Sequence, residues 1–599
     1  MTAPSPLAKD AALATFSIKV EGTPIPSEWQ VFSIDTWSCV NKVPKARLVL
    51  FDGSAAAGDF KISDGKTFLP GSRVEVAAGY EGKNAVIFRG VVARQGLEID
   101  RTQGSKLAVE VVDEALKMTL ERKSAVFEKL KDSEVIEKLI SASGLKKDVA
   151  ATSVAYEDIV QYYVSDWDLM LTRAELNSYV VIVSDGKVTV KKPDTSQSPV
   201  LRVAYGESIL DLQAEMDAAT QYDSSAIKSY AWDAATQKLV EAGPGSVTVK
   251  EQGNVSSAEL AKVFGVKSYA QQTGGGLEMN SLKDWSSAEL LKSKLSKIRG
   301  DVRFQGSSLA ETGKTIELGG LGERFDGTAF VSGVHHQISE GQWFTTVSFG
   351  LSPQWFAATA PMLAAPGASG QLPPIRGLQT GVVKQVAQDP AKEFRVLVTL
   401  PLLQESSKGV WARLGTFYAS QGVGALFYPE VGDEVIVGFM NEDPRYPVIL
   451  GSVYSKSIAP PYPPDDKNTK KAVRTKSKLE IYFDEQDKVI EIKTPGKQVI
   501  RMSDKEGSVS VEDSNQNKVT LSKSGVTMES ASNLKVSAKG NVTIEAGGNL
   551  SLSAKANASI EGLQVAHKAQ TKFSAQGSVA AEVTASGMLT IRGGLVKIN

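Results

Sequence analysis

The chain has 599 residues, 67 basic and 68 acidic side chains and a formal net charge of −1, so no global field draws it to nucleic acid or to an anionic membrane. Its one cysteine, Cys39, excludes an internal disulfide framework, and three histidines (His335, His336 and His567) leave little material for metal or acid–base chemistry. No apolar stretch is long enough to span a bilayer, and Lys9 and Asp10 interrupt Met1–Thr15 where a signal peptide needs an apolar run, which implies assembly in the cytoplasm.

Residues 1–360 read as the first block. Phe16–Val20, Ala46–Leu50, Arg73–Ala77, Ala85–Gly90 and Lys106–Val111 have strand character. Asp185-Gly186, between Val180–Val183 and Val188–Val190, is a hairpin turn. Asp132 caps a helical run through Val135, Ile136, Leu139 and Ile140 that stops at Gly144, and Ser286–Glu289 reads as a capping box for a helix ending near Arg299-Gly300. A barrel-rich β block with short helices is expected. Residues 361–377 turn to Ala, Pro, Gly and Ser (Pro361, Pro366, Gly367, Gly370, Pro373, Pro374) and read as a linker. Residues 378–455 hold about five strand runs, the size of an OB-like barrel. A second linker, 456–478, carries Pro460-Pro461, Pro463-Pro464 and then Lys470, Lys471, Arg474, Lys476 and Lys478.

Residues 479–599 open irregularly and then become periodic. Asparagine recurs at 533, 541, 549 and 557, with apolar residues one, three and five places later. In extended chain these share one face, which places Leu534, Val536, Val542, Ile544, Leu550, Leu552 and Ile560 inward. The inward set is small, and the only aromatic after Phe483 is Phe573. One chain buries too little apolar surface here to offset its ordering entropy. Several chains wound about a common axis solve this, which points to an intertwined, three-fold β-prism; the alternative is a flat surface meander.

With all blocks placed, the passage Tyr428-Pro429-Glu430-Val431-Gly432-Asp433-Glu434-Val435, running on through Asp443-Pro444-Arg445-Tyr446-Pro447 to Gly451 and Tyr454, resembles the OB signature of the VgrG spike proteins of contractile injection systems: type VI secretion, phage tail hub–spikes and extracellular phage-tail-like particles. Pro429, Gly432, Glu434, Val435, Asp443, Pro444, Pro447 and Gly451 carry it. Gly313 to Phe344 and Ser165–Leu169 are similar to the family's hub. The resemblance implies a homotrimer with a double-barrel hub, an OB ring and a β-helix needle. It also implies a hexameric inner tube seated on the hub, a PAAR-like tip at the C-terminal end, baseplate neighbours, possible effectors and transient contact with a target membrane. The particle would be secreted or extracellular. Neither a lysozyme domain before the needle nor an effector after it is visible, so no enzyme is expected. The alternative is a phage baseplate hub–spike with a wall-lytic role.

The remaining motifs are weak. Gly313-Lys314-Thr315 ends like a P-loop, but Ser308 stands where the first Gly belongs and strand follows instead of helix. His335 and His336 are strand neighbours on opposite faces and cannot chelate together. Ser143 and Lys146 flank a helix stop. His567 keeps step with Leu563 and Val565, which makes it a weak candidate for an axial metal or water site. The Lys470–Lys478 cluster reads as solvated linker, so no nucleic acid and no cofactor are expected.

Overall fold

The computed structural model describes residues 3–7, 13–102, 104–360, 363–401 and 408–598. Lys9, Asp10, Pro361 and Asn599, used above, lie outside the described residues. The chain divides into a unit from Met1 to Val453 and a unit from Tyr454 to Asn599. It is mainly β, as the strand runs predict.

In the first unit, strands with a largely alternating in–out pattern build one thirteen-stranded sheet. In Gln342–Phe349 the inward residues are Trp343, Thr345, Val347 and Phe349; in Lys45–Phe51 they are Ala46, Leu48 and Leu50. The sheet serves two cores. One gathers Ile34, Leu48, Leu107, Val109 and Phe68; the other gathers Val203, Val302, Phe304, Leu318 and Val347. The long strand Gly327–Ser339 stands between them, paired with Val31–Cys39 on one side and Gln342–Phe349 on the other. A third core packs the helices Asp132–Ala142 and Asp166–Leu176 on a small sheet that contains the Asp185-Gly186 hairpin. Both turn residues have positive φ, +53° and +67°, as a two-residue hairpin loop requires.

The capping-box reading of Ser286–Glu289 is corrected. The helix runs Met279–Leu295, so these residues lie inside it. Ser286 Oγ donates to Ala242 O and pairs with Ser229 Oγ, while Glu289 accepts from Trp355 Nε1 at 2.6 Å. Both are buried and are used by distant partners instead of by the helix terminus. The helix also stops short of Arg299-Gly300, which belong to the strand Ile298–Gln305.

Five strands close a small barrel around Val396, Val398, Ala412, Val435, Val437 and Ile449: Gln379–Gln385, Val396–Thr399, Val410–Leu414, Pro447–Ser452 and Glu434–Phe439, in order around it. The Pro/Gly-rich stretch before the barrel is fastened to it. Arg445 donates to Gln371, Ile375 N to Glu442 O, and Asn441 to Ser369. Proline and glycine here fix a course along the barrel, whereas composition alone suggests a free tether.

The second unit opens with a seven-stranded antiparallel meander in sequence order: Lys470–Arg474, Glu480–Asp484, Val489–Lys493, Val499–Ser503, Ser508–Glu512, Lys518–Ser522 and Gly525–Glu529. The part expected to be irregular is thus the hydrogen-bonded part, and its first strand lies in the stretch read as a Pro/Lys linker. Beyond Glu529 the regularity takes another form. Bends fall at 531–532, 539–540, 547–548, 555–556, 563, 570–571, 578–579, 586–587 and 594–595, separating straight runs of six residues. Among the described residues, 530–598 make no backbone-to-backbone hydrogen bond.

Candidate functional site

The functional features are surfaces, and the tail carries the longest. By alternation, the second, fourth and sixth residues of each straight run share a face. The expected core residues occupy the second and fourth places: Leu534 and Val536, Val542 and Ile544, Leu550 and Leu552, and Ile560 in the fourth run. In the single chain they are 57–79% exposed. The sixth place is always Ala or Gly, from Ala538 to Gly593. At Gly577 a Cβ would stand 2.0 Å from Ala580 O, so at this one bend even alanine would not fit.

The runs continue past the last asparagine marker. Val565, Phe573, Val583, Leu589 and Ile591 hold the same places; sequence reading put Val565 in step with His567 and missed the other four. The bend at 563 is one residue shorter than the others, so the asparagine phase is lost there. Eight-residue spacing of Ala or Gly at the sixth place is the signal that would have found them. His567 holds a fourth place, taken elsewhere by Val, Ile, Leu or Ala, and its ring stacks on Phe573 at 6.2 Å; Leu563 sits in the bend. Among the described residues no group of three or more His, Cys, Asp or Glu is placed to hold a metal.

The meander has two unlike faces. Ile481, Ile492, Ile500, Val511, Val519 and Met528 stand directly opposite one another from strand to strand, and Phe483, Ile490, Met502, Val509, Leu521 and Val526 form a parallel column. Much of this side is exposed. The other side is polar and internally paired. Glu480, buried, accepts from Tyr462 Oη at 2.8 Å and from Arg474 at 2.8 Å, with Lys493 at 3.3 Å. Burial pushes its carboxyl up, but those three partners outweigh it and hold the group below the usual carboxylate range. Arg501 bridges Glu491 and Glu506, and Lys505 meets Asp487. Lys470, of the expected linker, lies over the Tyr462 ring on this side, whereas Lys471 stands opposite Phe483 at the edge of the apolar face and pairs with Glu485.

The barrel signature builds one corner of the barrel. Gly432, φ +95°, donates its N–H to Val383 O, where an L side chain would be strained. Glu434 and Val435 then open a strand, with Val435 in the core. Pro429 lies in the loop before that strand. Asp443 closes the next turn by accepting from Arg445 N at 2.9 Å and Nη2 at 2.7 Å, and the guanidinium holds its carboxyl below the ordinary value. Pro444 follows it in that turn, Pro447 opens the last strand, and Gly451 sits opposite Ile436.

In the sheet of the first unit, His335 bonds Asp35 at 3.0 Å and stacks on Trp37, whereas His336 is buried against Thr345 Oγ1 at 2.9 Å. They face opposite sides, as their adjacency predicts. Gly313 turns the chain into the strand Thr315–Gly319, with no helix at that point. Ser143 and Lys146 stand at a helix end and a strand start. A further exposed apolar surface lies on the two-stranded arm Arg122–Lys131 and Ala155–Ser165, at Val126, Val160 and Tyr162. Among the described residues no helix is long and apolar enough to cross a membrane.

Comparison with known proteins matches residues 10–340 to the Alg8 N-terminal domain and residues 379–454 to the type VI secretion system/phage-baseplate injector OB domain. The chain is 37% identical over 87 residues, 14% of its length, to the type VI secretion system spike protein VgrG3 of Vibrio cholerae, and 29% identical over 113 residues, 18% of its length, to VgrG1b of Pseudomonas aeruginosa. These matches span only 9% and 15% of the relatives' own lengths. A tail protein of prophage MuSo2 from Shewanella oneidensis aligns over 57% of this chain and 98% of its own, at 11% identity and a TM-score of 0.43. With the Alg8 domain over more than half its length and the injector OB domain behind it, the chain belongs to the Alg8 N-terminal-domain family and resembles the VgrG-type spike proteins of the contractile injection systems.

Proposed function

We propose that this chain is the trimeric central spike of a contractile injection particle, and that its work is mechanical. Three copies would braid residues 530–598 into a needle with the inward row on a dry axis. Residues 1–360 would form the hub, 378–455 the OB ring and 479–599 the needle, with 361–377 and 456–478 as connections. One observation carries this reading: a long extended tail, bent at intervals of seven or eight residues, whose apolar row is uncovered and which makes no backbone-to-backbone hydrogen bond among the described residues. Buried backbone groups must be paired, and in a braid the neighbouring copies pair them. Interlocked strands of this kind unfold slowly and transmit load.

The hub would seat a hexameric inner tube, with the arm around Val126 and Val160 meeting neighbouring baseplate parts. The needle would end in a PAAR-like tip, touch a target envelope and deliver effectors. Assembly would take place in the cytoplasm before the particle is secreted. No catalytic step and no cofactor belong to this reading, and His567 packs against Phe573 within the axis. A wall-lytic domain between barrel and needle has no room, because only Val453–Thr469 separates their strands. Light scattering on the purified chain, with negative-stain imaging, tests the proposal. The expected result is three times the 63.9 kDa chain mass and a nail-shaped particle; a compact monomer sinks it.

A further inference from the structure

We propose that the outer face of the arm formed by Arg122–Lys131 and Ala155–Ser165 is a docking site for a β-strand of another protein, one in which basic and apolar residues alternate, laid along the Ala155–Ser165 edge. The inference rests on the reading of the chain as one part of a larger particle, and it names the chemistry of a neighbour that meets this arm.

The arm is a fixed ribbon with one face open. Its two strands pair with each other and with no other strand among the described residues. Strands of ten and eleven residues therefore present two long open edges, which are templates for strand addition. The inner face is occupied: Ile159 and Val164 are buried, and Phe127, Leu130 and Tyr156 pack half-buried against the core that holds Trp167. Lys123 pins the base to Asp166 at 2.7 Å, and Gln161 Nε2 donates to Asp166 Oδ1 at 2.9 Å. A surface fixed in this way loses little entropy on binding.

The outer face carries two unfavourable rungs side by side. Val126 stands directly opposite Val160, and they are 58% and 60% exposed. One rung along on the same face, Glu128 stands directly opposite Asp158, both exposed. Like charges so placed repel across the ladder. On other strands Glu110 meets Arg94, Glu215 meets Arg299 and Glu241 meets Lys228. Among the described residues, Glu128 and Asp158 meet no cation. Beyond Val160 lies Tyr162, 69% exposed, where the register shifts.

A single added strand relieves both rungs. Side chains two apart on extended chain share a face and lie ~7 Å apart, the step that separates Asp158 from Val160. A Lys or Arg beside Asp158 neutralises the first rung, and a Val, Ile or Leu beside Val160 covers the second, while the main chain continues the ladder. Charge selects the edge. Glu157 and Asp158 lie on one strand, whereas Lys123, Lys129 and Lys131 lie on the other.

The probe is a fluorescent peptide, Thr-Lys-Thr-Val-Thr-Lys-Thr-Val-Thr, titrated into the full-length protein by anisotropy beside two controls, one with Glu for both Lys and one with Pro for the central Thr. The Lys peptide is expected to bind wild type at least tenfold more tightly than either control. Glu128→Lys/Asp158→Lys should reverse the preference between Lys and Glu peptides, and Val126→Thr/Val160→Thr should weaken binding at least threefold. Tryptophan emission, with Trp167 beneath the arm, controls for folding. No binding of the Lys peptide, equal binding of any two of the three peptides to wild type, or a charge swap that leaves the preference unchanged overturns the inference. Should the swapped protein misfold, the three peptides on wild type still decide. Light scattering separates the other occupant: a smaller mass for Val126→Asp/Val160→Asp than for wild type would give the face to a second copy and overturn the foreign strand. A monomeric wild type overturns the trimeric spike reading and leaves the peptide result standing.

Discussion

His336 shows how a single buried side chain makes the first unit sensitive to acid. It lies in the sheet with its ring against Trp343 and Thr345, and burial, helped by the neighbouring His335, moves it from an ordinary value near 6.5 down to about 3. The unfolded chain binds a proton below pH 6.5 that the folded chain refuses. The neutral ring's contribution is therefore complete above pH 6.5 and is lost as pH falls toward 3. By pH 5 that amounts to about 2 kcal/mol. Guanidinium unfolding followed by tryptophan emission checks this. His336→Gln keeps a partner for Thr345 but does not titrate, so the stability gap between wild type and variant should shift by about 2 kcal/mol between pH 7.5 and pH 5. Parallel pH profiles would show that the imidazole is not the responsible group.

Among elements, the helices Asp166–Leu176 and Met279–Leu295 are locked by one nearly dry ion pair. Lys292 Nζ meets Glu175 Oε1 at 2.7 Å, and Glu175 Oε2 accepts from Phe356 N at 2.7 Å. Trp355, beside it, is held by Glu289. The segment after the strand Gln342–Phe349 is thus a strap fixed by two carboxylates, next to a cavity of about 650 Å³ lined by Val40, Tyr179, Leu291 and Phe356. Removing one charge from such a pair costs about 3–5 kcal/mol, because the other is left buried, whereas replacing both is close to neutral. Lys292→Met should therefore destabilise the first unit by about that amount, and Glu175→Gln/Lys292→Met should recover most of it in the same denaturation assay. A double variant as unstable as the single would mean the pair does not act as a clamp.

The same elements mark where the sequence was readable. Asp185-Gly186 was legible because a two-residue hairpin turn is chosen by its own φ angles. Ser165, which accepts from Asp168 N at 3.1 Å at the start of its helix, has its partner three residues away. Ser286 and Glu289 misled because the same residue types served Ser229, Ala242 and Trp355, remote in sequence. Pro and Gly in 363–377 suggested mobility because composition does not show that Glu442 and Arg445 will hold them. In the tail, asparagine exposed the repeat from 533 to 557. Gln564, Lys572, Ala580 and Met588 then start the runs in its place, and the short bend at 563 shifts the continuation out of the asparagine phase.

For the whole molecule, the deciding quantity is the protection of backbone amides in the tail. One chain alone leaves every N–H from 530 to 598 without a backbone acceptor among the described residues, while the Lys470–Glu529 meander pairs its own. Hydrogen exchange therefore separates the two states without a mutation. In a monomer the tail exchanges at unprotected rates while the inner meander strands are slowed. In a braid each tail amide opens only when three chains part, so its protection should approach the global limit and exceed that of the outer meander strand Lys470–Arg474. Dilution adds a second axis, because association that supplies the hydrogen bonds ties stability to protomer concentration. Once braided, however, the trimer should keep its protection over hours of dilution, since release requires unwinding a rod of interlocked strands and not merely separating two faces. Tail peptides that exchange fully within seconds in the concentrated full-length protein would rule out the braid, and with it the mechanical role.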